Sequence, residues 1–218
     1  DGAERFGLAR LLADGSLDLG FAPVIEGPIL AVARLVSGDI LIGGDFTRVN
    51  GVERARLARL HTDGSLDTAF APQFDKEVLA LAVQPDGRLL VGGEFTLVNG
   101  SLPRNGLVRL EANGSVDAGF DVGRGPRFAE YPGFVNNLLA LPDGKVLVGG
   151  VFTHLNGVQR QHLARLTDFG EVDTSFDPEA TRLCSGLFAM ALQPDGKLLL
   201  SGHFSLGDLR GLIRLHPS

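Results

Sequence analysis

The chain has 218 residues, 44% of them hydrophobic and 21% charged, with a formal net charge of −6, values that suit a soluble globular protein and argue against disorder. The acidic balance and the lack of any Lys/Arg cluster interleaved with aromatics exclude a nucleic-acid partner. The longest apolar runs, such as the one around Lys197 to Leu200, are far too short for a bilayer-spanning helix, which excludes membrane insertion by helices.

No charged-then-apolar leader opens the sequence, so it reads as a mature segment or a cytosolic one. Cys184 is the sole cysteine, so no intrachain disulfide forms and the redox compartment is left open. The 30 glycines, without a collagen period, point to many tight turns between short strands.

In chain order, Leu8-Ala9-Arg10-Leu11 returns as Leu57-Ala58-Arg59-Leu60, Leu107-Val108-Arg109-Leu110, Leu163-Ala164-Arg165-Leu166 and Leu212-Ile213-Arg214-Leu215. A second marker, Gly43-Gly44-Asp45-Phe46-Thr47, keeps the same phase at Gly92-Gly93-Glu94-Phe95-Thr96 and Gly149-Gly150-Val151-Phe152-Thr153, and more weakly at Ser201-Gly202-His203-Phe204-Ser205. Within one copy, residues 78–83 predict a first strand, Pro85-Asp86-Gly87 a turn and residues 88–95 a second strand. Asn99-Gly100 then closes a hairpin, as Asn50-Gly51 and Asn156-Gly157 do in other copies. Residues 107–110 give a third strand. After the Asn113-Gly114 turn, equivalent to Asp14-Gly15 and Asp63-Gly64, a short extended piece ending in Phe120 is the candidate for a fourth, outer strand.

A unit of about 50 residues holding three or four antiparallel strands matches a β-propeller blade. Ala31 and Ala33, Ala80 and Ala82, and Ala189 and Ala191 put small side chains on one face of the first strand, as an innermost strand crowded near an axis needs. The third copy departs from this with Asn137 and Leu139. The fold class read from the sequence is therefore all-β: propeller blades from four tandem repeats of about 50 residues plus one extra N-terminal strand, as a partial or open propeller. The expected division of one repeat domain is 1–27 as the last part of a preceding blade, then blades at 28–76, 77–134, 135–186 and 187–218.

Residues Leu81 to Gly87, the Gly92-Gly93-Glu94-Phe95-Thr96 run, Asn99-Gly100, Leu57-Ala58-Arg59-Leu60 and Asp63-Gly64-Ser65-Leu66-Asp67 together resemble the delta-60 repeat family, a bacterial β-propeller repeat. The resemblance covers essentially the whole chain. It implies a propeller within a secreted or cell-surface bacterial protein, and it supplies no catalytic residues. The fourth copy matches least, with Ser201 for glycine, Ser205 for threonine and no asparagine before Gly207.

Arg10 and Asp18, Arg59 and Asp67, Arg109 and Asp117, and Arg165 and Asp173 keep one spacing across the same turn. A repeated ligand site is one reading. Because a site rarely needs the same pair in every blade, the structural ion pair is preferred. Arg5, Arg54, Arg104 and Arg160, placed alike before the third strand, are read the same way. Phe46, Phe95, Phe152 and Phe204 end second strands, while Phe21, Phe70, Phe120 and Phe176 end the last segments. With no Trp and only Tyr131, packing between blades outweighs a stacking platform.

Asp14-Gly15-Ser16-Leu17-Asp18 begins like a calcium loop, but its twelfth position is Ile25, and Phe74 or Arg124 in the next copies, where a bidentate glutamate belongs. A capped turn is preferred, and no metal or cofactor is expected. No nucleophile elbow, paired-histidine zinc motif or phosphate loop is present, and nothing near Cys184 supplies a base.

The connections after Phe120 and Phe176 are longer than those after Phe21 and Phe70, and longer loops on one face are where repeat proteins differentiate a site. Arg124, Arg127, Glu130, Tyr131 and Arg182 are the candidate ligand-binding residues there; the alternative is that these loops merely cover surface. The expected function is a non-enzymatic scaffold or binding module recognising a protein or glycan through one face. A glycan-acting hydrolase using Asp45, Glu94 and His203, or a structural subunit of an extracellular assembly, are the rival readings. Five third-strand copies against four of each earlier strand leave one strand over, so pairing of the terminal strands with further blades or other chains is expected.

Overall fold

The computed structural model describes residues 4–178, 184–206 and 209–215. Its framework is four antiparallel three-stranded meanders in chain order: Ile29–Arg34, Ile40–Gly44 and Leu57–Leu60; Val78–Val83, Leu89–Gly93 and Leu107–Leu110; Phe134–Ala140, Val146–Val151 and Leu163–Leu166; and Cys184–Leu192, Leu198–Leu206 and Leu209–Leu215. The first strands of consecutive meanders pack side by side, and each second strand packs on the next meander's first strand. This is the arrangement of propeller blades, and the first and last blades do not come together as consecutive ones do.

The apolar core lies between blades. One cluster joins Leu41 and Leu57 of the first blade to Val78, Leu89 and Val91 of the second around Phe70 and Phe95. A second joins Leu90 and Leu107 to Val135, Val146 and Val148 around Phe120 and Phe152. Because each blade lends one face to the blade before and one to the blade after, burial accumulates along the row, at about 1.5–3 kcal/mol for each fully buried large apolar side chain.

The Gly-Gly doublet is required at both of its positions, for different reasons. A Cβ on Gly43 would stand 2.5 Å from Val78 Cγ1, and one on Gly92 2.6 Å from Val135 Cγ1, so the first glycine is the notch that receives the next blade's innermost strand. A Cβ on Gly44, Gly93 or Gly150 would stand 2.1 Å from the carbonyl oxygen of Pro28, Glu77 or Phe134, within its own blade. The second glycine thus accommodates the bulge at the start of the first strand in the first three blades, as between Val78 and Ala80.

The fourth, outer strand is reduced to single bridges, Leu60 to Leu66, Leu110 to Val116 and Leu166 to Val172. Once the turn has closed, Asp67, Asp117 and Asp173 hold the following residues by side chain, and no ladder extends. Among the described residues, 8–11, the surplus third-strand copy, make a single bridge, Leu11 to Leu17, and Leu11 and Leu12 stay exposed.

The Asn-Gly turns build a second layer of small sheets on one face. Asn50, Asn99 and Asn156 take φ values of 50, 52 and 48°, which asparagine tolerates better than most residues. Asn50 receives the Val24 N–H on its Oδ1 at 2.8 Å and donates its own N–H to the Val24 carbonyl at 2.7 Å, and Asn99 does the same with Gln73. The connections after Phe21 and Phe70 are thereby fastened to the hairpin of the following blade. In the third blade the longer connection folds into an added hairpin, Pro126–Phe128 with Tyr131–Pro132, that pairs with His154–Leu155.

Candidate functional site

The conserved chemistry of the repeat sits at the turn after the third strand. Arg10 Nε donates to Asp18 Oδ2 at 2.9 Å, Arg59 to Asp67 at 2.8 Å, Arg109 to Asp117 at 2.7 Å and Arg165 to Asp173 at 2.9 Å. Each guanidinium also lies over the phenylalanine closing its segment, at 4.4 Å from the Phe21 centroid, 4.5 Å from Phe70, and 4.6 Å from Phe120 and Phe176. The Nη1 groups reach the next repeat's turn: Arg10 to the Thr62 carbonyl at 2.5 Å, Arg59 to that of Ala112 at 2.6 Å, and Arg109 to Asp168 Oδ1 at 2.6 Å. One side chain therefore clamps its own turn, covers its own phenylalanine and links two blades. Arg5, Arg54 and Arg160 donate to the carbonyls of Asp18, Thr68 and Thr174, bracing the same segments.

The second blade concentrates these bonds. Arg109 Nη1 also meets Gln84 Oε1 at 3.3 Å, and Arg88 reaches Asp117 at 3.2 Å and Asp168 at 3.1 Å. The Arg10 and Asp18 side chains are 37% and 19% exposed, whereas those of Arg109 and Asp117 are 2% and 10% exposed. The hydrogen bond from Arg10 holds the Asp18 carboxyl below the usual aspartate range. At Asp67 and Asp117 burial pushes upward, but the hydrogen bonds from Arg59 on the one, and from the Gly119 N–H and Arg109 on the other, leave both lowered. The Ser175 hydroxyl, and then Lys145, lower Asp173 most strongly. The Asp14 Oδ1 accepts from both the N–H and the hydroxyl of Ser16, at 2.9 and 2.6 Å, so its loop is a closed turn. No group of three or more His, Cys, Asp or Glu side chains among the described residues is arranged to hold a metal ion.

The enlarged connection leading into the third blade borders a cavity of different character. Arg124, Arg127 and Glu130 line a cavity of about 440 Å3 together with Asn105, Ala129, His154 and Gly157. The added hairpin positions Arg127, which donates to the Glu130 carbonyl. Asn105 donates to the Arg124 carbonyl at 3.2 Å, fixing the backbone there, and His154 Nδ1 lies 3.1 Å from the Thr153 hydroxyl. The exposed Arg124 guanidinium has no protein partner among the described residues. Tyr131 is 73% exposed beside the cavity's hairpin and does not line it, and Arg182 lies outside the described residues. The pairing of the added hairpin with His154–Leu155 brings His154 in, and the bond to the Arg124 carbonyl brings in Asn105.

Four meandering blades in a row, cores between them and an exposed basic cavity on the face of the Asn-Gly hairpins define a β-propeller repeat protein. The family model described as a domain of unknown function (DUF5122) beta-propeller matches residues 1–21, 37–70, 84–120 and 141–176, more than half of the chain, and the chain belongs to that family. No curated protein is similar enough to count as a relative.

Among solved structures, the chain is similar to the extracellular domain of what is described as a hybrid two component system from B. thetaiotaomicron, at 15% identity and a TM-score of 0.54, over 97% of this chain and 24% of that one. It is similar to the extracellular domain of what is described as a one component system from the same organism, at 15% identity and 0.52, over 87% of this chain and 21% of that one. Virginiamycin B lyase from Staphylococcus aureus follows at 13% identity and 0.51, over 88% and 56%. The chain thus spans about a quarter or less of the two extracellular domains and just over half of the lyase. At such identities the likeness is one of fold.

Proposed function

We propose that the chain is a non-enzymatic binding module of a secreted or cell-surface bacterial protein, built from delta-60-type repeats, and that it recognises an anionic group of a protein or glycan through the face bearing the Asn-Gly hairpins. The observation that carries this reading is the cavity of Arg124, Arg127 and His154, in which the Arg124 guanidinium has no partner within the described chain. A planar guanidinium presents a fork of donors that matches a carboxylate, sulfate or phosphate. Asn105 adds a neutral polar group at the rim, and Tyr131 a neighbouring aromatic surface. The extracellular setting of the two domains from B. thetaiotaomicron is consistent with this reading, while the lyase is a reminder that the fold by itself does not decide function.

In the rival hydrolase reading, Asp45 is tied to Arg56 at 3.0 Å, and Glu94 lies exposed on a different blade. Calorimetric titration with uronic-acid oligosaccharides and acidic peptides, each beside its neutral counterpart, tests the proposal. Binding that weakens with salt and falls at least tenfold in Arg124→Ala/Arg127→Ala, with an unchanged melting temperature, supports it. Equal binding of neutral and acidic probes, or release of new reducing ends that stops in Glu94→Gln, overturns it.

A further inference from the structure

An asparagine followed by glycine is the step at which a protein chain most readily modifies itself. The glycine nitrogen gives up its proton and bonds to the side-chain carbonyl carbon of the asparagine, the amide nitrogen leaves with that proton as ammonia, and a cyclic imide remains. Water then opens the ring at either carbonyl, and a carboxylate stands where the neutral amide was. Glycine favours the step because no Cβ shields the attacking nitrogen. The chain has five such steps, at Asn50, Asn99, Asn105, Asn113 and Asn156. Because the side chain must swing onto the nitrogen, a hydrogen bond that holds the amide or takes the glycine N–H has to be broken first.

The first four are held. Asn50 Oδ1 accepts from the Val24 N–H at 2.8 Å while its Nδ2 donates to the Gly64 carbonyl at 3.1 Å, and Asn99 Oδ1 accepts from the Gln73 N–H at 3.0 Å. Asn105 Nδ2 donates to the Arg124 carbonyl at 3.2 Å, and the Gly106 N–H is taken by the Phe95 carbonyl at 2.8 Å. Asn113 Oδ1 accepts from the N–H and the hydroxyl of Ser115, at 2.9 and 2.7 Å, and the Gly114 N–H donates to the Glu111 carbonyl at 2.9 Å. Asn156 differs. It is exposed, and among the described residues neither its side-chain amide nor the Gly157 N–H has a hydrogen-bond partner. The longer connection is the reason: where Val24 and Gln73 give their N–H to the turn asparagine, Gly123 gives its own to Asp121 Oδ1 at 2.9 Å, and the Asn156 N–H finds the Gly125 carbonyl at 3.1 Å. The unheld amide also stands at the basic cavity. Its Oδ1 lies against Gly123, whose Cβ position it would overlap, Arg124 is the next residue, and Gly157 lines the cavity itself.

We propose that Asn156 is a self-modification site, and that the carboxylate formed there pairs with the Arg124 guanidinium and so turns off anion capture by this face. Either way of opening the imide adds one negative charge beside an arginine that has no protein partner among the described residues, and a guanidinium takes a carboxylate in preference to water-separated contacts when one is tethered next to it. The loss of capture rests on the binding function proposed above; the modification and the pairing do not.

Peptide mapping by mass spectrometry, on folded protein incubated at mildly alkaline pH, reads the order of conversion, and the Asn156 peptide should convert well ahead of the other four. The Asn156→Asp variant supplies the product directly, at a φ of 48° that aspartate also tolerates. In an NMR titration its introduced carboxylate should ionise at lower pH than in the same variant carrying Arg124→Ala. By calorimetry it should bind a uronic-acid oligosaccharide about tenfold more weakly than wild type, with an unchanged melting temperature. Conversion as fast at Asn50 or Asn99 as at Asn156, an ionisation indifferent to Arg124, or undiminished binding by Asn156→Asp would overturn the proposal. A wild type that binds no acidic probe would refute the binding function and with it the loss of capture, while the two ligand-free readouts still decide the modification and the pairing.

Discussion

Replacing Arg109 by alanine removes the side chain on which most of the second blade's polar contacts converge. It deletes the bonds to Asp117 at 2.7 Å, to Asp168 at 2.6 Å and to Gln84 at 3.3 Å, and uncovers the Phe120 ring. Removing one partner of a buried ion pair costs about 3–5 kcal/mol, because the remaining charge stays desolvated. Arg88 remains 3.2 Å from Asp117, which places the expected loss near the lower end, about 3 kcal/mol. The same substitution at Arg10 strikes a pair of identical geometry whose arginine is 37% exposed, and there the loss should stay under about 1 kcal/mol. Urea unfolding followed by far-UV circular dichroism measures both variants against wild type. If Arg10→Ala costs as much as Arg109→Ala, or Arg109→Ala less than about 1 kcal/mol, burial does not set the strength of these pairs and the reasoning fails.

Two further outcomes follow from the same contacts. The folded-state pKa values of Asp18, Asp67, Asp117 and Asp173 lie below the ordinary aspartate value, so the stability they contribute is fully present above that value, 3.8, and is lost as pH falls through the lowered ones. Melting temperature should therefore hold steady from pH 7 to about 5 and fall steeply below about 4, and a fall centred near pH 6 would contradict this. Gly92→Ala meets the side chains of Val135 and Leu138, which yield at a cost of about 1–3 kcal/mol. Gly93→Ala meets the Glu77 carbonyl at 2.1 Å and must break the bulge, so its urea midpoint should drop further; equal midpoints would refute the two-role reading of the doublet.

The repeat was legible because each marker answers a local demand: Asn-Gly for a left-handed turn, the glycine doublet for a notch and a bulge, and alternating small residues for the crowded first strand. The bond from Arg59 to the Ala112 carbonyl was not legible, since its acceptor is a backbone atom 53 residues away and leaves no side-chain signature. The short outer segment has the extended character of a candidate strand, and the structure gives it one bridge because aspartate side chains take over the backbone donors. At the cavity, Arg124, Arg127 and Glu130 stood out through loop length alone. His154 did not, because its proximity depends on an added hairpin whose pairing the sequence does not declare, and Asn105 did not, because it is held by a backbone carbonyl 19 residues away.

The most direct measurement of the proposed recognition is a nitrogen-15 NMR titration of the labelled protein with a uronic-acid oligosaccharide. Shifts centred on the backbone of Arg124, Arg127 and His154 and on the Arg124 side chain, absent with the neutral sugar, are the predicted result. Shifts confined to the first or fourth blade, or of equal size with both sugars, would contradict it.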